Sequence, residues 1–217
     1  EGENSIRHNR SRDIPKLRLG ASSTLTRYVL LSHLENYIAH FPHVRITISC
    51  QSTYQTLHLL DEEKIDLGLI GRPQKLRGYY FHPLLKIRDT FVCTRQYLEN
   101  QKKLYPDEPL IQAATFMMLD EDNITRQTVN AQLKEHHVEL SHILEVTTMD
   151  LLIQFAEIGL GIACVIRDFV KKELEEGTLV EVPVGFSFPP REIGFVCRQK
   201  DANLDLIVPF FGDRQGN

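Results

Sequence analysis

The 217-residue sequence lacks the motifs that identify most enzymes. It contains no G-x-S-x-G nucleophile elbow, no H-E-x-x-H zinc motif, no P-loop and no G-x-G-x-x-G dinucleotide fingerprint. The four cysteines are widely spaced, without the paired C-x-x-C that zinc sites use. We therefore predict a protein that is not an enzyme and has no cofactor and no metal. Cys50, Cys93, Cys164 and Cys197 stand beside small or apolar residues and are interpreted as buried reduced thiols.

The chain also lacks an apolar run of membrane-spanning length and a recognisable secretory signal. Reduced cysteines and the absent signal favour a cytoplasmic protein with no membrane partner, although an exported chain with an even cysteine count could form disulfides. A hydrophobic content of 42% and a charged content of 25% are typical of a globular protein. The net charge of -4 argues against a nucleic-acid-binding surface, which requires clustered lysine and arginine.

The pattern of strands and helices predicts an α/β fold. Strand-like segments at 17–20, 44–50 and 66–71 alternate with helical segments at 25–41 and 57–60, and Leu25, Tyr28, Leu31, Leu34, Ile38 and Phe41 form the core-facing stripe of the first helix. A similar alternation runs from 89 to 166, with strands at 89–95, 116–120, 142–146 and 161–166 and helices at 126–137 and 149–158. We expect parallel sheets in two similar lobes that share one cleft.

Hydroxyl side chains occur where several predicted strands give way to helices. These are Ser22, Ser23, Thr24, Thr53, Thr125, Thr147 and Thr148. Helix N-termini carry unpaired N–H groups and a partial positive charge, and ligands of open α/β sheets bind at the carboxyl ends of the strands. Capping alone would explain any single cluster, but several convergent helix starts favour a site for a small anion.

Two arginines are further candidates for binding an anion. Arg126 falls in the first turn of a predicted helix, where an external anion would explain a cation at the positive end of the dipole. The alternative is a solvated Arg126 paired with Glu121 or Asp122. Arg72 directly follows a predicted strand and could bind a carboxylate, although a solvated loop arginine is an equally simple interpretation. The histidines at 136, 137 and 142 do not have zinc-like spacing and are interpreted as solvated.

Five segments, in this order, resemble the effector-binding domain of LysR-type transcriptional regulators: LRLGASSTLTRYVL, FPHVRITI, LLDEEKIDLGLIGRP, EVTTMDLL and EIGLGIACVI. The resemblance covers roughly residues 17–211. It implies two Rossmann-like lobes around a central cleft, as in type 2 periplasmic binding proteins. Lobe I would comprise 17–91 and 192–217, lobe II 92–191, and residues 1–16 would be a linker remnant. The family's effector contacts would fall on the hydroxyl residues above and on Arg126.

The same resemblance implies a function and partners. A small, anionic effector would bind between the lobes and control transcription, with DNA bound only through an N-terminal domain that this chain lacks. Such domains form homodimers, and the full-length proteins can be tetramers. Val29, Leu30 and Tyr37, which lie off the main apolar stripe, are predicted to contact the partner subunit. The alternative from another class is the solute-binding protein of a transporter.

Overall fold

The computed structural model describes residues 14–212, which form two five-stranded sheets flanked by helices. The first sheet has the order β2-β1-β3-β10-β4 and the second has the order β7-β6-β8-β5-β9. The strands are β1 (Lys16–Ala21), β2 (Arg45–Cys50), β3 (Leu67–Gly71), β4 (Tyr79–Ile87), β5 (Asp89–Cys93), β6 (Thr115–Met118), β7 (His142–Glu145), β8 (Ile162–Ile166), β9 (Val180–Glu181) and β10 (Arg191–Arg198).

The helices pack around these two sheets. They are α1 (Ser23–Leu25), α2 (Leu31–His40), α3 (Thr53–Asp61), α4 (Arg95–Leu104), α5 (Leu110–Ala113), α6 (Ile124–Glu135), α7 (Met149–Glu157) and α8 (Lys171–Glu176). A π turn, Thr26–Leu30, joins α1 to α2, and 3-10 turns occur at Arg167–Val170, Gln199–Asp201 and Val208–Phe211. The central strands β3, β5 and β8 are buried at every position, as expected for strands covered on both faces.

The sheets are mixed, whereas the sequence predicted parallel ones. Strand β1 pairs in parallel with β2 and β3, and β6 with β7 and β8. In contrast, β10 is antiparallel to β3 and β4, and β5 is antiparallel to β8 and β9. The chain passes from the first sheet to the second at Arg88 and returns at the start of β10. The strands that follow these two crossovers enter their sheets in the opposite direction, so only the β-α-β units are parallel.

The structure confirms the predicted α/β fold class and adds elements that the sequence analysis did not predict. Strand β4 was missed because Pro83 interrupts it and its side chains are only partly buried, so it has no clear alternation. Helix α4 was also missed, since only Tyr97 of its residues is buried. The predicted lobe boundary near residue 91 falls within β5, a strand of the second sheet, close to the crossover at Arg88. The lobe limits stay a prediction, and the predicted linker lies, up to residue 13, outside the described residues.

The π turn changes which face of the first helix is buried. The backbone N–H of Leu31 donates to the carbonyl of Thr26, five residues earlier, which inserts one extra residue into the helix. As a result Leu25 and Leu30, five residues apart, lie on the buried face, which continues through Leu34 and Tyr37. Leu31 and Ile38 of the predicted core stripe are instead 55% and 52% exposed.

The prediction that Val29, Leu30 and Tyr37 contact a partner subunit was therefore wrong. These three side chains are 4%, 1% and 4% exposed and belong to the chain's own core. That core is continuous between the sheets, since one cluster includes Leu69 of β3 and Met117 of β6. Cys93, Cys164 and Cys197 are buried free thiols, as predicted, whereas Cys50 on the edge strand β2 is exposed.

Candidate functional site

A small cavity lies between the two sheets, where the starts of four helices meet. Its volume is about 70 Å³. The first sheet and its helices contribute the segment 22–25, Ser52, Thr53 and Gly71, and the second half contributes Leu119, the segment 123–125, the segment 147–149 and Ile166, with Arg191 and Ile193 of β10 completing the wall. Seven of the nine predicted site residues line this cleft: Ser22, Ser23, Thr24, Thr53, Thr125, Thr147 and Thr148.

Each of the four helices begins with a side-chain cap at the cleft. Ser22 Oγ accepts from the N–H of Leu25 at 3.1 Å, and Ser52 Oγ accepts from the N–H of Gln55 at 3.3 Å, with a reciprocal bond that completes a capping box. Asn123 Oδ1 accepts from the N–H of Thr125 at 2.9 Å, and Thr148 Oγ1 accepts from the N–H of Leu151 at 3.4 Å. The hydroxyl residues therefore do cap helices, and they line a shared cavity as well.

Three threonine side chains of the cleft are buried. Thr24, Thr53 and Thr125 are 7%, 8% and 7% exposed. Thr125 Oγ1 accepts a hydrogen bond from Arg191, whereas the hydroxyls of Thr24 and Thr53 have no hydrogen-bond partner within residues 14–212. Buried hydroxyls are usually paired, so two unpaired ones at the same cavity indicate that a ligand can supply the missing partner.

The charged pair at the base of the cleft was missed by the sequence analysis. Arg191 Nε and Nη2 donate to the two carboxylate oxygens of Asp89 at 2.7 and 2.8 Å, and Nη2 also donates to Thr125 Oγ1 at 2.8 Å. The side chains of Asp89 and Arg191 are 1% and 13% exposed. They are the first residues of β5 and β10, the two strands that follow the crossovers, so this pair joins the two sheets directly. No local pattern links residues so far apart in the sequence.

Two predicted site residues do not line the cleft. The guanidinium of Arg126 is 5% exposed; it donates to the carbonyl of Leu119 at 2.8 Å and to Asn130 Oδ1 at 3.0 Å, and it lies 3.5 Å from Glu145. It is therefore neither directed at the cavity nor solvated beside Glu121 or Asp122. Arg72 is half-exposed and forms an ion pair with Glu192 in a side groove. The geometry supports a structural role for Arg126 and a surface role for Arg72.

Direct contacts bridge the two halves on either side of the cleft. Arg27, in the π turn, lies 3.3 Å from Asp150 of α7, and Tyr54 of α3 donates to Gln127 of α6 at 3.0 Å. The ring of Tyr28 stacks on Phe169 at 4.3 Å between centroids. Burial raises the pKa of the Tyr28 hydroxyl above its usual value. These contacts hold the two halves in the arrangement seen here.

Other candidate chemistries find no support in the described part of the chain. It contains no group of three or more histidine, cysteine, aspartate or glutamate side chains that could bind a metal. His136 stacks on Phe186 at 4.0 Å, and its ring bonds to the carbonyl of Gln132. Between residues 14 and 212, no helix is both long and apolar enough to cross a membrane.

Comparison with known proteins gives the family. A family model for the LysR substrate-binding domain matches residues 11–211. The chain belongs to this family. Among curated relatives, an uncharacterised HTH-type transcriptional regulator of Escherichia coli K12, YeiE, is 24% identical over 179 residues, which are 77% of this chain and 57% of the relative. The chain thus spans a little more than half the length of that regulator.

Solved structures of LysR effector-binding domains share the fold. The effector-binding domain of a BenM variant superposes with a TM-score of 0.71 at 19% identity, covering 90% of each chain. The effector-binding domain of QuiR in complex with shikimate has a TM-score of 0.69 at 13% identity, covering 90% of this chain and 92% of that one. This confirms the predicted periplasmic-binding-protein-like architecture of the LysR substrate-binding domain.

Proposed function

We propose that this LysR domain is the sensor of a transcriptional regulator and binds a small anionic effector in the cleft between its sheets. The observation that carries the proposal is the meeting of four capped helix N-termini at one cavity, two of whose buried hydroxyls have no partner. Helix N-termini present N–H donors and positive potential to an anion. QuiR, which has the same fold, binds shikimate according to its structure, and this supports effector binding by the fold.

The proposed mechanism is a shift between arrangements of the two halves. The effector touches α1 and α3 on one side and α6 and α7 on the other, so it stabilises the arrangement in which these helix starts are close together. The contacts Arg27–Asp150 and Tyr54–Gln127 belong to the same arrangement and would strengthen with it. A ligand regulates only through its difference in affinity between two states, which here means between the closed and the open cleft.

The partners are part of the proposal. The curated relatives are HTH-type transcriptional regulators, so DNA would be bound by a helix-turn-helix domain of the full-length protein, which would act in the cytoplasm and not as an enzyme. We propose a homodimer, possible as half of a tetramer, formed through an exposed apolar surface. That surface comprises Leu31 and Ile38 of α2, Ile48 of β2, Ile143 and Leu144 of β7, and Leu151 of α7. Strands β2 and β7 are sheet edges, which leaves this surface open to a second copy.

The alternative function, a solute-binding protein of a transporter, uses the same fold. The curated relatives favour the regulator, because they are regulators of transcription. The family match and these relatives therefore support transcriptional control over solute delivery.

A pair of matched helix caps tests the proposed site. Thr148 caps α7 at the cleft, and Thr94 caps α4 away from it with the same type of bond, to the N–H of Tyr97. We expect Thr148→Ala and Thr94→Ala each to lower stability by about 1 kcal/mol. In a thermal-shift screen of small carboxylates and inorganic anions, an effector that stabilises the wild type should lose most of its effect in Thr148→Ala alone. Equal responses of both variants would remove the cleft from the proposal.

A further inference from the structure

Most polar side chains of the cleft have already used their capacity to accept a hydrogen bond from the protein. Ser22, Ser52, Asn123 and Thr148 accept from backbone N–H groups at their helix starts, and Thr125 accepts from Arg191. What each side chain retains for a ligand is its hydroxyl hydrogen or, for Asn123, its amide N–H groups. The cleft is therefore lined mainly by donors.

The charges at the cleft are already balanced. Arg191 is the one charged side chain among the described residues that line the cavity, and Asp89 neutralises it through both carboxylate oxygens. No carboxylate oxygen of this pair is left to accept a proton-bearing group from a ligand. A ligand ammonium or acidic O–H would thus enter a site that offers it no strong acceptor.

The size of the cavity limits the ligand as strongly as its chemistry. A volume of about 70 Å³ is that of about two water molecules in the liquid. Pockets for larger organic ligands typically measure about 300–1,000 Å³. In this arrangement of the two halves, the cleft has space for an ion of a few atoms and not for a carbon ring or a chain.

We propose that the effector is a small, fully ionised inorganic oxyanion, of which sulfate is the simplest example; this inference rests on the proposed function and specifies the ligand of its cleft. Such an ion has only acceptor atoms and can pair with the donors, including the hydroxyls of Thr24 and Thr53 that have no other partner. Hydrogen phosphate carries a proton and a zwitterionic amino acid carries an ammonium group. Both are disfavoured because a donor without an acceptor costs free energy when it is buried.

Calorimetric titration of the 217-residue chain at constant ionic strength tests this selection. The probes are sulfate, phosphate and glycine, each at about pH 6 and about pH 8. We expect sulfate to bind with a Kd that does not change with pH, because sulfate carries no proton at either pH. Phosphate keeps at least one proton at both, so its Kd should be at least roughly tenfold higher, and glycine should not bind. Phosphate or glycine binding as tightly as sulfate would overturn the inference.

Two nearly isosteric substitutions locate the ligand. Thr24→Val and Thr53→Val remove the unpaired hydroxyls without breaking any hydrogen bond of the protein, so both variants should fold. Each should weaken sulfate binding by roughly tenfold. Thr128→Val is the matched control, because its hydroxyl donates to the carbonyl of Ile124 outside the cleft lining, and it should bind sulfate as the wild type does.

The possible failures separate this inference from the proposed function. If a larger organic acid binds, sulfate does not, and Thr24→Val abolishes that binding, the oxyanion inference is wrong and the sensor cleft stands. If sulfate binds equally to the wild type, Thr24→Val and Thr53→Val, it binds elsewhere and the inference is also wrong. If ligands bind but none responds to Thr24→Val, Thr53→Val or Thr148→Ala, both the inference and the proposed site fail.

Discussion

At the scale of single residues, the arginines show how far sequence reasoning extends. The position of Arg126 at a helix start was identified correctly, but the destination of its side chain depends on Leu119 and Glu145, which end other strands or follow them. Arg191 and Asp89 meet only because two crossovers bring the starts of β5 and β10 together. In contrast, the hydroxyl residues could be predicted, since a cap is a local feature of the sequence and the fold class indicates where the caps converge.

Arg126→Ala should destabilise the protein without removing a ligand contact. It leaves the carbonyl of Leu119 and the side chain of Asn130 without their donor inside the protein, at a cost of about 1–3 kcal/mol in the free energy of unfolding. Urea denaturation followed by circular dichroism measures this. Arg72→Ala is the control, because its ion pair with Glu192 is half-exposed and should contribute at most about 1 kcal/mol. Similar losses in both variants would contradict the structural role of Arg126.

The four thiols should differ sharply in reactivity. Burial raises the pKa of Cys93 to about 12 and that of Cys197 to about 11, and it raises the pKa of Cys164 as well. The thiolate is the reactive form, so at pH 8 these three are protonated as well as inaccessible. Iodoacetamide should therefore add one label to the native protein, on the exposed Cys50, and four after denaturation, as counted by intact-mass spectrometry. Rapid labelling of a second thiol in the native state would contradict this burial.

At the scale of elements, strand β10 shows why the sequence does not specify sheet order. Its residues read as a strand, but its position between β3 and β4, antiparallel to both, depends on where the chain returns from the second sheet. The regular β-α-β units were predictable because alternating strands and helices favour parallel neighbours. Strand β4 and helix α4 were not, because their partial exposure leaves no clear hydrophobic period.

Gly194→Ala should weaken the pairing of β10 with β4. A Cβ at Gly194 would lie 2.2 Å from the carbonyl oxygen of His82, where the register of the two strands shifts. Because that neighbour is backbone, the strands must move apart, and we expect a loss of about 1–3 kcal/mol in urea denaturation. Gly71→Ala is the matched comparison, since its Cβ would meet only the flexible end of Arg191, at 3.1 Å. Gly71→Ala should cost less, and the reverse order would show that the bulge can relax.

At the scale of the whole molecule, the two sheets are connected by a continuous core, by Arg191–Asp89 and by contacts beside the cleft. These links make the relative position of the two halves a property that a ligand of a few atoms can change, because the ligand only has to add to contacts that already exist. The exposed apolar surface on α2, β2, β7 and α7 includes elements from both halves. A change between the halves would therefore also change the shape of the surface on which a second copy docks.

The docking surface predicts a specific effect on assembly. Ile38→Glu places a charge in the centre of the apolar surface and should shift the chain toward the monomer in sedimentation-velocity experiments, by at least roughly tenfold in the dimer dissociation constant. Leu104→Glu is the control, because Leu104 is 68% exposed on α4, outside this surface, and should leave assembly unchanged. A dimer that tolerates Ile38→Glu would use another surface.

The π turn in the first helix has a consequence for how related chains are compared. It is in effect a single inserted residue, and deleting one residue between Thr26 and Leu30 would restore an α-helix while rotating everything after it by about 100°. Leu31 and Ile38 would turn away from the outer surface, and Tyr37 would leave the core. In a relative without the turn, the residues equivalent in space to α2 therefore lie one position out of step in the sequence. An alignment made without a gap at this point would pair interior residues of one protein with docking residues of the other.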